Sequence, residues 1–128
     1  MIEDLWGDLP TGEKQPTPAA MLKEQADLLS KKTSDKLLGN ILTLNNNKEF
    51  KLRLRIEVPS ITGFSVDLFT ITYPIGLYPV ALRSQIENIP NSRSNDKEEF
   101  IINFANFLRA VPVQMIIKRL LAQVLSMD

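Results

Sequence analysis

Phe50-Lys51-Leu52-Arg53-Leu54-Arg55-Ile56-Glu57-Val58 (FKLRLRIEV) alternates apolar and charged residues over nine positions. Successive side chains of an extended strand point to opposite faces. Phe50, Leu52, Leu54, Ile56 and Val58 therefore share one face, and Lys51, Arg53, Arg55 and Glu57 the other. A strand with one apolar and one charged face belongs to an antiparallel sheet covered on a single side. That pattern sets the fold class, because the covering layer has to come from helices elsewhere in the chain.

The neighbouring segments supply the rest of the sheet. Upstream, residues 37–44 (LLGNILTL) are joined to the central strand through Asn45-Asn46-Asn47, a residue type that tolerates tight turns. Pairing Leu42 with Phe50 and Leu38 with Leu54 aligns the apolar faces. It also sets Asn40 opposite Leu52 on the apolar side, which calls for a buried partner or a bulge near Gly39. Downstream, residues 64–73 (FSVDLFTITY) change phase between Leu68 and Phe69, the signature of a bulge at that point. Pairing Val58 with Phe64 puts Arg55 across from Asp67 and Glu57 across from Ser65. The stretch TYPIGLYPV (72–80) then reads as a type I turn over Tyr73–Gly76, with Ile71 beside Tyr78 and Phe69 beside Val80. Pro79 has no backbone donor, so the last strand, residues 77–83, is expected at a sheet edge.

Helical signals flank the sheet. Thr17 caps, Pro18 fits a first helical position, and Leu22, Ala26 and Leu29 form an apolar stripe flanked by Met21 and Leu28. Residues 87–97 (ENIPNSRSNDK) read as polar loop. Asn95 or Asp96 then caps a helix, with Glu98 or Glu99 closing a capping box. Phe100, Phe104, Phe107, Leu108 and Val111 line its apolar side, and Pro112 ends or kinks it. The final helix carries Val113, Ile116, Ile117, Leu120, Leu121 and Val124 on a broad apolar face. The expected architecture is α+β in two layers: an N-terminal helix, a four-stranded antiparallel meander, then two C-terminal helices (or one kinked helix) packed on one sheet face. Residues 1–16 form an irregular arm and residues 17–128 a single domain. In outline the opening helix and meander resemble the cystatin fold, and the size and layout are similar to those of type III secretion chaperones. No motif accompanies either likeness, so neither implies a function.

Composition excludes more than it offers. The 128 residues contain no cysteine and no histidine, which removes thiol nucleophiles, thiolate zinc sites, histidine bases and the commonest metal ligand. No phosphate loop, dinucleotide fingerprint, calcium loop or internal repeat occurs. Glu57, Asp67 and Glu87 fall on an open sheet face where nothing would exclude water, so no catalytic residue, cofactor or metal is assigned. Fifteen basic residues balance fifteen acidic ones, and no apolar run is long enough to cross a membrane. The acidic start MIEDLWGDLP lacks the features of a signal peptide, so a cytoplasmic, non-enzymatic protein is expected.

Three surfaces remain as candidates. The arm spaces Ile2, Leu5, Trp6 and Leu9 so that a turn or two of helix would gather them among Glu3, Asp4 and Asp8. Such an arm either docks in a partner's groove or packs its only tryptophan against its own domain; own-domain packing is the simpler expectation. In the last helix Met115, Leu121, Leu125, Ile117, Ala122 and Met127 widen the apolar arc beyond what one sheet face needs. A neighbouring helix is the simpler explanation, and an oligomer or partner interface the other. Tyr73 and Tyr78 place hydroxyls at the rim of the core, within reach of a partner. The reading favoured is a protein-binding module, a small adaptor, chaperone, antitoxin or immunity-type protein, whose partner is another protein or a second copy. The alternative is a ligand or single-stranded nucleic-acid binder using the cationic row Lys51, Arg53 and Arg55 with Lys48 nearby. Nucleic acid is the less expected partner, because single-strand binders interleave stacking aromatics on the same face and here the aromatics lie opposite.

Overall fold

The computed structural model describes residues 2–12 and 16–127. Met1, residues 13–15 and Asp128 lie outside the described residues, and the arm expected over 1–16 and the domain expected over 17–128 are described without them. The elements are α1 (Pro18–Lys32), β1 (Leu38–Thr43), β2 (Glu49–Glu57), β3 (Ser65–Pro74), β4 (Val80–Ser84), β5 (Ser92–Ser94), α2 (Lys97–Leu108) and α3 (Val111–Ser126). The sheet runs β1-β2-β3-β4-β5 with every pair antiparallel. One face carries the three helices, giving the two-layer α+β arrangement.

Capping sets the helix ends. Thr17 Oγ1 accepts from the Ala20 N–H at 3.1 Å, with Pro18 in the first turn. α1 stops where Ser34 and Asp35 turn left-handed (φ 51° and 63°), and the Asp35 N–H returns to the Ser30 carbonyl at 2.8 Å. Asp96 caps α2 by accepting from the Glu99 N–H at 2.8 Å. α2 ends at Leu108 and α3 continues at a 49° bend with Pro112 in its first turn. Val111, expected on the apolar side of α2, falls at this bend and is exposed. Among the described residues no single helix is long and apolar enough to cross a membrane.

The centre of the sheet follows the alternation. Leu52, Leu54, Ile56 and Val58 are buried under the helices, while Phe50 lies at the end of the covered face and leans on Tyr73 at 5.3 Å. Arg55 pairs with Asp67 and Glu57 with Ser65, and the register shifts so that Leu54 meets Phe69, leaving Leu68 as the bulged residue. Both Leu68 and Phe69 are buried, and the Phe69 ring sits edge-on to Phe104 and Phe107 at 5.6 and 4.8 Å.

Three expectations are corrected. First, β1 pairs three residues out from the expected register: Gly39 meets Ile56, Ile41 meets Leu54 and Asn40 meets Arg55. An odd offset turns the strand over, so Gly39 and Ile41 face the helices and Asn40 faces out, donating to Glu57 Oε1 at 2.7 Å. The cause lies in the turn. Asn46 Oδ1 accepts from the Lys48 and Glu49 N–H groups at 2.8 Å each, and the ladder continues through Asn46 before reversing at Asn47-Lys48.

Second, β4 pairs Ile71 with Leu82 and Phe69 with Ser84, four residues out, because the turn closes at Leu77 N–H to Pro74 O and Leu77–Pro79 remain loop. An even offset keeps the same face inward. Third, β4 is not an edge: Ser92–Ser94, expected as loop, forms a fifth strand beside it, and Pro79 precedes β4 rather than guarding it. Polar groups hold β5 in place. Asn91 Oδ1 accepts from the Ser84 N–H at 2.8 Å, and the Asn103 Nδ2 donates to the buried Ser94 hydroxyl at 2.9 Å.

Candidate functional site

The arm carries no regular element over residues 2–12, and the expected helical turn is absent there. Gly7 turns left-handed (φ 62°) after the Trp6 N–H bonds back to Asp4 Oδ1 at 3.0 Å, which ends any helical path. Ile2, Leu5, Trp6 and Leu9 are all exposed, Trp6 at 79%. The expected packing of Trp6 on its own domain is therefore not what the structure has.

On the helix layer, α1 and α3 leave a groove of about 150 Å³ whose floor is Leu54, Ile56 and Leu68. Gln25, Leu28, Leu29 and Lys32 line it from α1, and Gln114 and Ile117 from α3. These spacings of three and four place each set on one helical face. Leu121 and Leu125 continue the α3 flank at the same spacing, Leu121 half-buried against the core and Leu125 exposed. Met115 is also exposed but lies about a third of a turn round α3 from that flank. Leu121 and Leu125 thus share the groove side, and Met115 does not.

Tyr73 and Tyr78 do not reach a partner surface, which corrects their expected role. Tyr73 is 3% exposed, and burial pushes its phenol above the ordinary tyrosine range despite a hydrogen bond from the Ala19 backbone. The Tyr78 hydroxyl is sealed, with no hydrogen-bond partner among the described residues. Its phenol is likewise raised, by burial first and by the Asp96 carboxylate second.

The open face of the sheet rearranges the cationic row. Arg55 Nε donates to Asp67 Oδ1 at 2.7 Å and Arg53 Nη1 approaches Oδ2 at 3.5 Å, so one carboxylate serves both. The Asp67 hydrogen bond raises the Arg55 guanidinium pKa above its ordinary value. Arg53 Nε also donates to Thr70 Oγ1 at 3.1 Å. Lys48 lies at the β1–β2 turn, outside the row. Two cations absent from the sequence reading join from the far strands. Arg83 stands across Thr70 from Arg53, and Arg93 stands beyond Ala81 and Thr72 from Lys51. The outward position of Arg83 was visible as alternation in the last apolar strand. Arg93 sits in a serine-flanked strand with no hydrophobic period to reveal it.

Between Lys51, Arg53 and Arg83 lies a depression of about 360 Å³, with Thr70, Thr72 and Ala81 as its floor and Asn46, Glu49 and Gln85 at its rim; Arg93 stands beyond it. Among the described residues no group of three or more acidic, histidine or cysteine side chains is placed to hold a metal ion. No family model matches the chain, and neither a curated protein nor a solved structure matches it.

Proposed function

We propose that this chain is a protein-binding module acting through its N-terminal arm and the apolar flank of α3. The observation that carries the reading is the exposure of Ile2, Leu5, Trp6 and Leu9 together within residues 2–12 of the arm. Large apolar side chains clustered in water mark an interaction surface, and an indole is the strongest single anchor such a surface offers. Glu3, Asp4 and Asp8 surround these anchors, and residues 1–12 contain no basic side chain. The complementary acceptor is an apolar cleft with a basic rim. The α1/α3 groove is apolar at its floor and, among the described residues, has Lys32 as the one charged residue of its wall, so a second copy of the chain is one acceptor.

Trp6 is the only tryptophan, so its emission reports on the arm alone. Light scattering and Trp6 emission of the purified chain are measured together over a wide concentration range, and its size-exclusion mass is followed by an affinity tag in cell extract. A complex is expected, with a blue-shifted emission where it forms from the purified chain, and the double variant Leu5→Ser/Leu9→Ser abolishes both. A chain that stays a monomer in extract as in buffer, with Trp6 emission that stays that of indole in water, would remove the reading.

A further inference from the structure

The open face of the sheet supports a second site, independent of the arm. We infer that the depression lined by Lys51, Arg53 and Arg83, with Arg93 beyond it in the same cross-strand row, binds a compact ligand carrying two or more phosphate groups. Two cross-strand rows build it. One runs Lys51, Thr72, Ala81, Arg93 across β2 to β5, and the other runs Arg53, Thr70, Arg83 across β2 to β4. Neighbouring strands are about 4.8 Å apart, so the Arg53 and Arg83 backbones stand roughly 10 Å apart over a floor of small side chains. Long cationic side chains on either side of a short-chain floor make a bowl into which both sets of donors can turn. The bowl holds about 360 Å³, within the range of small-ligand sites.

The charges in the bowl are available. Among the described residues the only ion pairs are those of Asp67 with Arg53 and Arg55, so none involves Lys51, Arg83 or Arg93. Arg53 is oriented by Thr70 and Asp67, which fixes one fork of the site in advance. The three cations that line the bowl repel in the empty protein, and a ligand with several phosphate charges relieves that repulsion where a single phosphate spans only part of it. Threonine hydroxyls of the floor add neutral donors.

Shape and sign select a compact ligand over a strand of nucleic acid. Along β2 the positive stretch is closed at both ends, by Glu49 on one side and by Asp67 and Glu57 on the other. A long phosphodiester chain following the strand would cross these carboxylates. No aromatic side chain lies on this face for bases to stack on, since Phe50, Phe69 and Tyr73 belong to the helix-covered side.

The test is calorimetric titration of the full chain at low ionic strength with inorganic tripolyphosphate, orthophosphate and a thymidine oligonucleotide. Saturable one-to-one binding of tripolyphosphate is expected, with orthophosphate at least tenfold weaker. Arg83→Ser and Arg93→Ser, exposed side chains in no ion pair among the described residues, each weaken tripolyphosphate about tenfold while leaving the circular dichroism spectrum unchanged. Lys118→Ser, on the helix layer, leaves it unaltered. Asp67→Asn tightens it by freeing Arg53 and Arg55. The inference is overturned by an absence of saturable tripolyphosphate binding, or by binding that survives the Arg83→Ser/Arg93→Ser double variant. Tighter binding of the oligonucleotide than of tripolyphosphate overturns it as well, in favour of a nucleic-acid surface. None of these outcomes bears on the arm, whose emission and mass are read separately.

Discussion

Gly39→Ala isolates the contact that fixes β1 against α1. A Cβ built on Gly39 would stand 2.5 Å from the Ala26 carbonyl oxygen, 2.6 Å from its Cα and 2.9 Å from its carbonyl carbon. Ordinary contact begins at 3.4 Å, so the methyl is nearly 1 Å too close, and the opposing atoms are backbone rather than a side chain that can rotate away. Relief requires α1 to lift from the sheet, loosening Leu22 and Ala26, both buried in the core. Overpacking of this kind costs about 1–3 kcal/mol. Alanine in a strand otherwise gains roughly 0.5–1 kcal/mol over glycine by restricting the unfolded chain, so the two effects oppose each other and the sign is informative. The expected net loss is about 1–2 kcal/mol.

Urea unfolding followed by far-ultraviolet circular dichroism measures that loss, because Trp6 sits on the arm and is silent about the core. For a small domain the midpoint falls by about 1 M. Gly76→Ala is the control. Nothing lies within 4 Å of that position, and its stability stays within about 0.5 kcal/mol of the parent. Ala26→Gly does not rescue Gly39→Ala, since the conflict is with the Ala26 backbone. A Gly39→Ala protein as stable as the parent, or more stable, would refute the close approach of α1 and with it the register assigned to β1.

Tyr78→Phe removes a sealed hydroxyl with no partner among the described residues and raises stability by about 1 kcal/mol in the same urea assay. Asp96→Ala deletes the α2 cap and lowers stability by about 1 kcal/mol. Buried Tyr73 and half-buried Tyr78 both hold their protons above the ordinary range, whereas the unfolded chain releases them near pH 10. Above that pH the unfolded state binds fewer protons than the native one. The stabilisation is therefore complete below about pH 10 and lost as pH rises through the native values. Unfolding midpoints taken from pH 8 to pH 11.5 fall at the alkaline end, and Tyr73→Phe flattens the fall.

The sequence carried the fold wherever apolar periodicity and burial coincide. The β2 alternation, the Leu68-Phe69 phase change, the Thr17 cap and the phenylalanine stripe of α2 each record a hydrophobic demand, and each appears in the structure. Polar hydrogen bonds decided the rest. β1 is turned over because three asparagines in a row leave the reversal point open, and the bonds accepted by Asn45 and Asn46 settle it between Asn47 and Lys48 rather than at Asn46 as apolar matching suggests. Apolar matching was misled because Leu38, Ile41 and Leu42 give β1 hydrophobic residues on both faces, so either phase looks acceptable. Gly39 was the clue to the right one, since a glycine is the residue that lets a helix backbone lie against a strand. β5 escaped for a related reason: Ser92-Arg93-Ser94 buries a hydroxyl against Asn103 rather than a hydrocarbon.

The same distinction explains why the two candidate surfaces differed in legibility. The arm is local, and its anchors and acids can be counted along twelve residues. The cationic bowl exists only through pairing, because Arg53 and Arg83 are thirty positions apart and become neighbours across Thr70. A formal net charge of zero argued against any polyanion ligand, yet neutrality here is a sum over segregated parts. Acidic residues without a base gather in residues 1–12, while Lys51, Arg53 and Arg83 line one depression on the open face of the sheet. Within a Debye length of about 10 Å, a ligand at the bowl responds to the three cations that line it and to Arg93 next to them, and only weakly to charge on the opposite layer. The field that matters for recognition is therefore set by strand order, and the fifth strand, the least visible in the sequence, adds a cation at its edge.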